Sequence, residues 1–188
     1  AKILHPTSIV PARNSGVPVV LKNTMAPEKL GTVISNEPSG NHIKALAAKD
    51  GITAIKIKSD RMLLAYGFLR QIFEVFERHK ISIDMITTSE VAVSLTIDDD
   101  RDISELVEEL GLYGKVEVDT NQTIVCIVGH MLQSESGHAA KIFNSLKDIT
   151  LRMISYGGSK NNVSILIDTE YKTQALKALN QGLFDLGE

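Results

Sequence analysis

The chain contains the same unit twice. Gly67-Phe68-Leu69 followed by Ile72-Phe73 returns as Gly137-His138-Ala139 followed by Ile142-Phe143. Ile81 to Thr87 (ISIDMIT) returns as Ile149 to Ser155 (ITLRMIS), and Val93 to Asp98 (VSLTID) as Val163 to Asp168 (VSILID). Three matched blocks in one order, offset by about 70 residues, mark a tandem repeat, and the fold must satisfy both copies at once.

The first copy shows its elements by periodicity. Ile52 to Lys58 alternates apolar and polar residues, the period of a half-buried strand. Phe68, Leu69, Ile72, Phe73 and Phe76 recur at helical spacing, with Arg70, Gln71, Glu74, Glu77 and Arg78 on the other face. Ile81 to Thr87 and Val91 to Ile97 are β-branched and alternate, which predicts two strands. Asp98, Asp99, Asp100 and Asp102 are turn and N-cap residues. They lack the spaced ligands and terminal Glu of a calcium loop. Ile103, Leu106, Val107 and Leu110 predict a second helix, closed by Gly111 and Gly114, and Lys115 to Asp119 a last strand. The order βαββαβ is a ferredoxin-like unit in the α+β class.

The second copy predicts strands over Thr123 to Gly129, Thr150 to Tyr156 and Val163 to Asp168, and helices over His138 to Leu146 and Lys172 to Phe184. It then lacks a fourth strand. His42 to Ala48 (HIKALAA), just before the first copy, can fill that place and cover an otherwise open sheet edge. The expected organisation is a first unit over 50–121 inserted into a second unit made of 42–49 plus 122–188. Residues 1–41 stand apart. They hold all five prolines and one strand signal, Val17 to Leu21, among turn signals. The reading is either an ordered extension or the cut end of a larger domain. The opening AKILHPTSIV begins as if inside a structural element, so a fragment is expected.

Composition narrows the function classes. A net charge of −3 gives no electrostatic case for nucleic acid. Aromatic residues are 5% of the chain, and Phe68, Phe73 and Phe76 belong to a helix rather than to a sheet surface for base stacking. The single cysteine, Cys126, excludes a disulfide framework and reads as a small buried apolar residue. The five histidines show no metal-ligand spacing. No apolar run nears the ~18 residues of a membrane span, and no signal peptide opens the chain, so a cytoplasmic protein is expected. No nucleophile–base pair can be assembled.

At this point the residues resemble a known family. Ile86-Thr87-Thr88-Ser89-Glu90-Val91, after Ser82-Ile83-Asp84, resembles the effector segment of lysine-sensitive aspartate kinases. Met62 with Gly67-Phe68-Leu69 resembles the loop and helix start that faces it. Ala1 to Pro6 resembles the end of the kinase domain, and Asn23-Thr24, Pro27 and Gly31-Thr32 the segment leading out of it. The resemblance implies a parent enzyme that phosphorylates the side-chain carboxylate of L-aspartate with ATP and magnesium. It also implies a regulatory region of two ACT domains, the first inserted into the second. The kinase motif Lys-Phe-Gly-Gly-Thr is absent. The fragment is therefore expected to have no catalytic residues and no cofactor of its own, with the kinase domain missing in cis. Further expectations are lysine as effector and a homodimer through the first ACT domain, with no nucleic acid or membrane as partner.

The implied effector residues are Met62, Ala65, Gly67, Phe68, Leu69, Ser82, Ile83, Asp84, Thr88, Ser89 and Glu90, with Lys2 as a remnant of the nucleotide site. Each has a plain reading beside this one. Gly67 can merely start a helix, or its helix N-terminus can hold a ligand carboxylate. Asp84, read within a strand, is either an exposed edge residue or the partner of a ligand ammonium. Glu90 is either a loop-tip charge or a second such acid. Ser82, Thr88 and Ser89 offer hydroxyls. Ala65 and Tyr66 depart from the serine and arginine of a familiar lysine-sensitive member. The second copy carries Arg152 where the first has Asp84, so only the first is expected to take a cationic ligand. The alternative is a ferredoxin-like nucleic-acid-binding or protein-interaction module without an amino-acid ligand.

Overall fold

The computed structural model describes residues 4–36, 43–62, 66–98, 103–130 and 136–184. The chain divides into two compact units, Ala1–Asn41 and His42–Glu188.

The first unit carries a helix that the sequence reading lacked, α1 (Pro6–Asn14). Proline reads as a breaker, but at the first helical position its fixed φ suits the helix and its missing N–H costs nothing. Pro6 takes that position, and the His5 imidazole accepts the Thr7 N–H at 3.4 Å. Only Pro11 removes an interior bond. The strand expected over Val17 to Leu21 shortens to β1 (Val19–Leu21), paired antiparallel with an unforeseen β2 (Thr32–Ile34). Among the residues of this unit whose burial is described, 4–5 and 7–36, none is buried.

The second unit runs β3 (Ile43–Lys58), a 3-10 turn (Asp60–Met62; another lies at Thr169–Tyr171), α2 (Phe68–Arg78), β4 (Met85–Thr88), β5 (Ala92–Ile97) and α3 (Ile103–Leu110). It continues through β6 (Lys115–Gly129), α4 (His138–Ser145), β7 (Met153–Ser155), β8 (Asn162–Asp168) and α5 (Lys172–Leu183). Its six strands form one antiparallel sheet in the order β4-β5-β3-β6-β8-β7. Ile43 to Lys49 pairs with the second copy's Ile124 to Gly129, while Ala54 to Lys58 pairs with Lys115 to Asp119 and with β5. The segments before and inside the first copy are thus one 16-residue strand rather than two, and β6 is likewise one strand of 15 residues.

The register has an internal two-fold. Lys49 faces Ile124 as Ala54 faces Asp119, Ala47 faces Cys126 as Lys56 faces Glu117, and Ile52 faces Gln122 at the centre. The register shifts around Ile52, and the positive φ of Gly51 (73°) and Asn121 (57°) marks a bulge in each long strand. Each bulge changes the side-chain parity, since a one-residue insertion moves later residues to the other face. Leu46 therefore faces the second copy's helices while Ile55 and Ile57, at odd numbers, face the first's. Lys49-Asp50-Gly51, which lies between the two segments read separately from the sequence, is this bulge.

Two helix-side cores result. Ile55, Ile57, Val93, Leu95 and Ile97 pack on Ile72, Val75 and Phe76 of α2 and Leu106 and Leu110 of α3. Val125, Ile127, Val163, Ile165 and Ile167 pack on Ile142, Ala175 and Leu179 of α4 and α5. Each fully buried Ile or Leu contributes about 1.5–3 kcal/mol relative to exposure. A third, smaller cluster of Ile52, Met85, Ile124, Met153 and Leu166 lies on the face away from the helices, where β4 comes against β7. The strands expected from Ile81 and Thr150 begin later, at Met85 and Met153. Ile81 and Ile149 go into the helix-side cores before the ladder starts.

Polar ties close the ends. Arg78 and His79 at the end of α2 both reach Glu109 of α3, the latter at 2.9 Å. These bonds, Arg78 first, hold the Glu109 carboxyl below its usual pKa. Asp50 accepts from Lys172 at 2.5 Å and from Thr123 at 2.9 Å. Among the described residues no helix is long and apolar enough to cross a membrane, and no cluster of His, Cys, Asp and Glu could hold a metal ion.

Candidate effector site

The loop-to-helix half of the site begins at Gly67. It caps α2 in the left-handed region, φ 82°, with no side-chain cap on the helix N-terminus. A Cβ there would meet nothing within 4 Å, so space lies open before the first turn. Glycine takes this φ without strain, which lets the chain turn sharply into the helix. Phe68 then goes into the first core at 6% exposure, and Met62, Leu69 and Ile83 pack against that core from its rim. The described environment of these four side chains is packing. Gly137 starts α4 in the same way, at φ 95°. Ala65 and Lys2 lie outside the described residues.

The other half is the stretch around β4. Ser82, Thr88, Ser89 and Glu90 are exposed. The Ser89 N–H donates to Ala92 O at 2.8 Å and closes the turn between β4 and β5. Asp84 is not within the strand as expected. It precedes β4 by one residue, and its N–H donates to Thr96 O at 2.9 Å. Its carboxylate is partnered: Lys49 Nζ lies 3.0 Å from one oxygen and 3.3 Å from the other. Lys49 also reaches Asp98 at 2.6 Å. Asp98, then Asp84, raise the Lys49 pKa against the opposing effect of burial.

This arrangement has a mate with its charges exchanged. The internal two-fold takes Lys49 to Asp119 and Asp84 to Arg152, and Arg152 is paired with Asp119. The Arg152 N–H donates to Leu166 O at 2.8 Å, as the Asp84 N–H does to Thr96 O. Sequence reasoning found the Asp84–Arg152 exchange but missed Lys49. The signal was present, because Lys49 lies as far before Asp119 in the repeat as Gly67 lies before Gly137.

The candidate residues line three different hollows in one chain. Phe68 and Tyr66 line one of about 340 Å³ with Arg61, Gln71 and Tyr113. Thr88 and Ser89 line a second, about 350 Å³, with Lys56 and Lys58. Asp84 lines a third, about 280 Å³, with Lys49, Met85, Ile124 and Cys126. Cys126 is therefore half-buried at a hollow, not fully buried, and the Asn162 amide donates to its sulfur at 3.8 Å. The mate of the third hollow, about 380 Å³, is lined by Lys56, Glu117, Asp119, Arg152 and Met153 and is far more charged.

The ACT-domain family matches residues 55–104 and 125–183, one stretch in each repeat copy and together more than half of the chain. The chain belongs to the ACT-domain family. Its two ACT domains are the repeat copies, the first inserted into the second, as the sequence led us to expect. The chain is 34% identical over 194 residues to the lysine-sensitive aspartokinase 3 of Escherichia coli, covering 98% of this chain and 43% of that protein. A structure of E. coli aspartokinase III in complex with lysine and aspartate, in its T-state, superposes with a TM-score of 0.83 at 33% identity. It covers 97% of this chain and 42% of that one. A putative C-terminal regulatory domain of aspartate kinase from Porphyromonas gingivalis is 50% identical, with a TM-score of 0.69, over 77% of this chain and 99% of that one. The ACT pair thus matches the C-terminal regulatory region of aspartate kinases and spans less than half of the length of the curated relatives it resembles.

Proposed function

We propose that this ACT pair is the effector-sensing region of an aspartate kinase, that its effector is lysine, and that lysine binds at the first ACT domain. The observation that carries this reading is the charge exchange between Asp84 and Arg152 on one repeated backbone. Both domains offer an uncapped helix N-terminus behind a left-handed glycine, suited to a carboxylate. Only the first places an acid, Asp84, at the residue before its short edge strand, where the second has Arg152. The similarity to a lysine-sensitive relative and to a lysine complex supports the same choice.

The α2 start and the Asp84 segment line separate hollows in one chain, and β4 is an edge strand with Ile86 39% exposed. A second copy seated on the first ACT domain would cover that edge and complete the site at the seam. Effector binding would then act on the kinase domain through differential affinity for two states of the whole enzyme. ATP and magnesium belong to that kinase domain in this reading.

Calorimetry on the chain with lysine and threonine tests the proposal. Asp84→Ala removes a charged hydrogen bond worth roughly 1.5–3 kcal/mol. Lysine affinity then falls about 10- to 150-fold. Arg152→Ala changes it little. Equal losses from the two substitutions would overturn the site, and threonine binding more tightly than lysine would overturn the effector.

A further inference from the structure

Asp84 is not waiting empty for a ligand. An ammonium group already sits on it, that of Lys49, within bonding distance of both carboxylate oxygens. Lys49 side-chain exposure is 48% and that of Asp84 30%, so the pair meets solvent and can exchange. A second acceptor stands beside it: Asp98 holds the same Nζ at 2.6 Å. The rest of that hollow comes from Ala47, Ala48, Met85, Ile124, Cys126 and Ser164, none of them charged. Lys49 belongs to the half of β3 that pairs with the second ACT domain, and Asp84 to the first, so the contact ties the two domains.

We propose that Lys49 is a tethered competitor for the effector: its ammonium occupies Asp84 in the unliganded chain, and an incoming amino acid with a cationic side chain or α-ammonium displaces it onto Asp98. This inference rests on the effector reading above and deepens it by naming a residue that sets affinity. The exchange is inexpensive, because Lys49 keeps one of its two carboxylate partners and Asp84 trades one ammonium for another. It also gives binding a structural output, since it cuts one of the charged ties between the domains. In the mate pair the positions are reversed: Arg152 stands where Asp84 does, and the acid, Asp119, sits on the long strand where Lys49 does.

L-lysine titrated into the full 188-residue chain tests the idea. Exposed ion pairs are weak, so Lys49→Met should tighten lysine binding by about 2- to 5-fold. Lys49→Arg, which keeps a competing cation, should leave affinity near that of the unmodified chain. In an Asp84→Ala background, followed by NMR where binding is weak, Lys49→Met should bring no gain, because the competed group is gone. Unchanged or weaker binding by Lys49→Met, with lysine still binding the unmodified chain, overturns the competitor role and leaves the effector reading standing. An equal gain in the Asp84→Ala background overturns it too, assigning the effect to net charge. No lysine binding by either the unmodified chain or Lys49→Met overturns both readings.

Discussion

Two ACT domains that share two strands should not unfold independently. β3 and β6 each run through both sheets, so melting one domain strips the other of its central pairing. Leu106→Ala probes this from one side. Leu106 is fully buried on α3 and belongs to the first core, not the second. Removing three carbons from such a site and leaving a cavity costs roughly 2–5 kcal/mol. With a urea dependence of about 2 kcal/mol per molar, the unfolding midpoint should fall by about 1–2.5 M. The informative readout is elsewhere: amide protection along β8, whose strand neighbours are β6 and β7. If the strands couple the domains, β8 protection falls by the same free energy as the global transition, and far-UV circular dichroism shows one transition. Loss of protection confined to α2, α3 and β5, or a second transition at the original midpoint, would refute the coupling.

Two further outcomes follow from local geometry. A Cβ at Gly114 would stand 2.5 Å from Lys58 O and 2.9 Å from Ser59 Cβ, so Gly114→Ala should destabilise by about 1–3 kcal/mol. Gly158→Ala, with nothing within 4 Å, should change stability by less than about 0.5 kcal/mol, and equal melting shifts would contradict this. Arg78, then His79, depress the Glu109 pKa. A depressed carboxylate stabilises fully above its unfolded value, near 4.5, and loses that contribution as pH falls through the lower folded value. The melting temperature of Glu109→Gln should therefore depend less on pH below about 4.5 than that of the unmodified chain, and parallel profiles would refute it.

Most of the second unit was legible because its signals are local and doubled. The helices follow from 3.6-residue periodicity, and each copy corroborates the other at Gly67 and Gly137, Met85 and Met153, Val93 and Val163. What escaped was non-local or hidden by local chemistry. Lys49-Asp50-Gly51 carries turn residues, yet a glycine at φ 73° inside a strand makes a bulge when the partner strand continues past it. Strand ends were overrun because Ile81 and Ile83 alternate like strand residues while packing onto helices. In residues 1–41 the prolines masked α1, where Pro6 begins the helix instead of breaking it. At the site, the type of residue at 84 was readable and its partner was not, because Lys49 is 35 residues away and its pairing depends on the bulge.

If the effector site lies in the first domain alone, as proposed, the repeat explains how one backbone can give one site rather than two. The parts that need backbone geometry are the same in both domains: left-handed glycines at Gly67 and Gly137, paired bulges, and matched ladders from β4 and β7 onto β5 and β8. Such features are costly to change, since each bulge sets the facing of a whole half-strand. Side-chain charge at an exposed position is not costly, because surface ion pairs contribute about 0–1 kcal/mol whichever way round they are placed. Exchanging Asp84 and Lys49 for Arg152 and Asp119 therefore leaves the fold intact while reversing which charge the position presents. On the reading proposed above, a cationic ligand meets an acid at this position in the first domain and Arg152, already paired with Asp119, in the second. On that reading, a difference in affinity between the two places would come from side chains that the fold does not need.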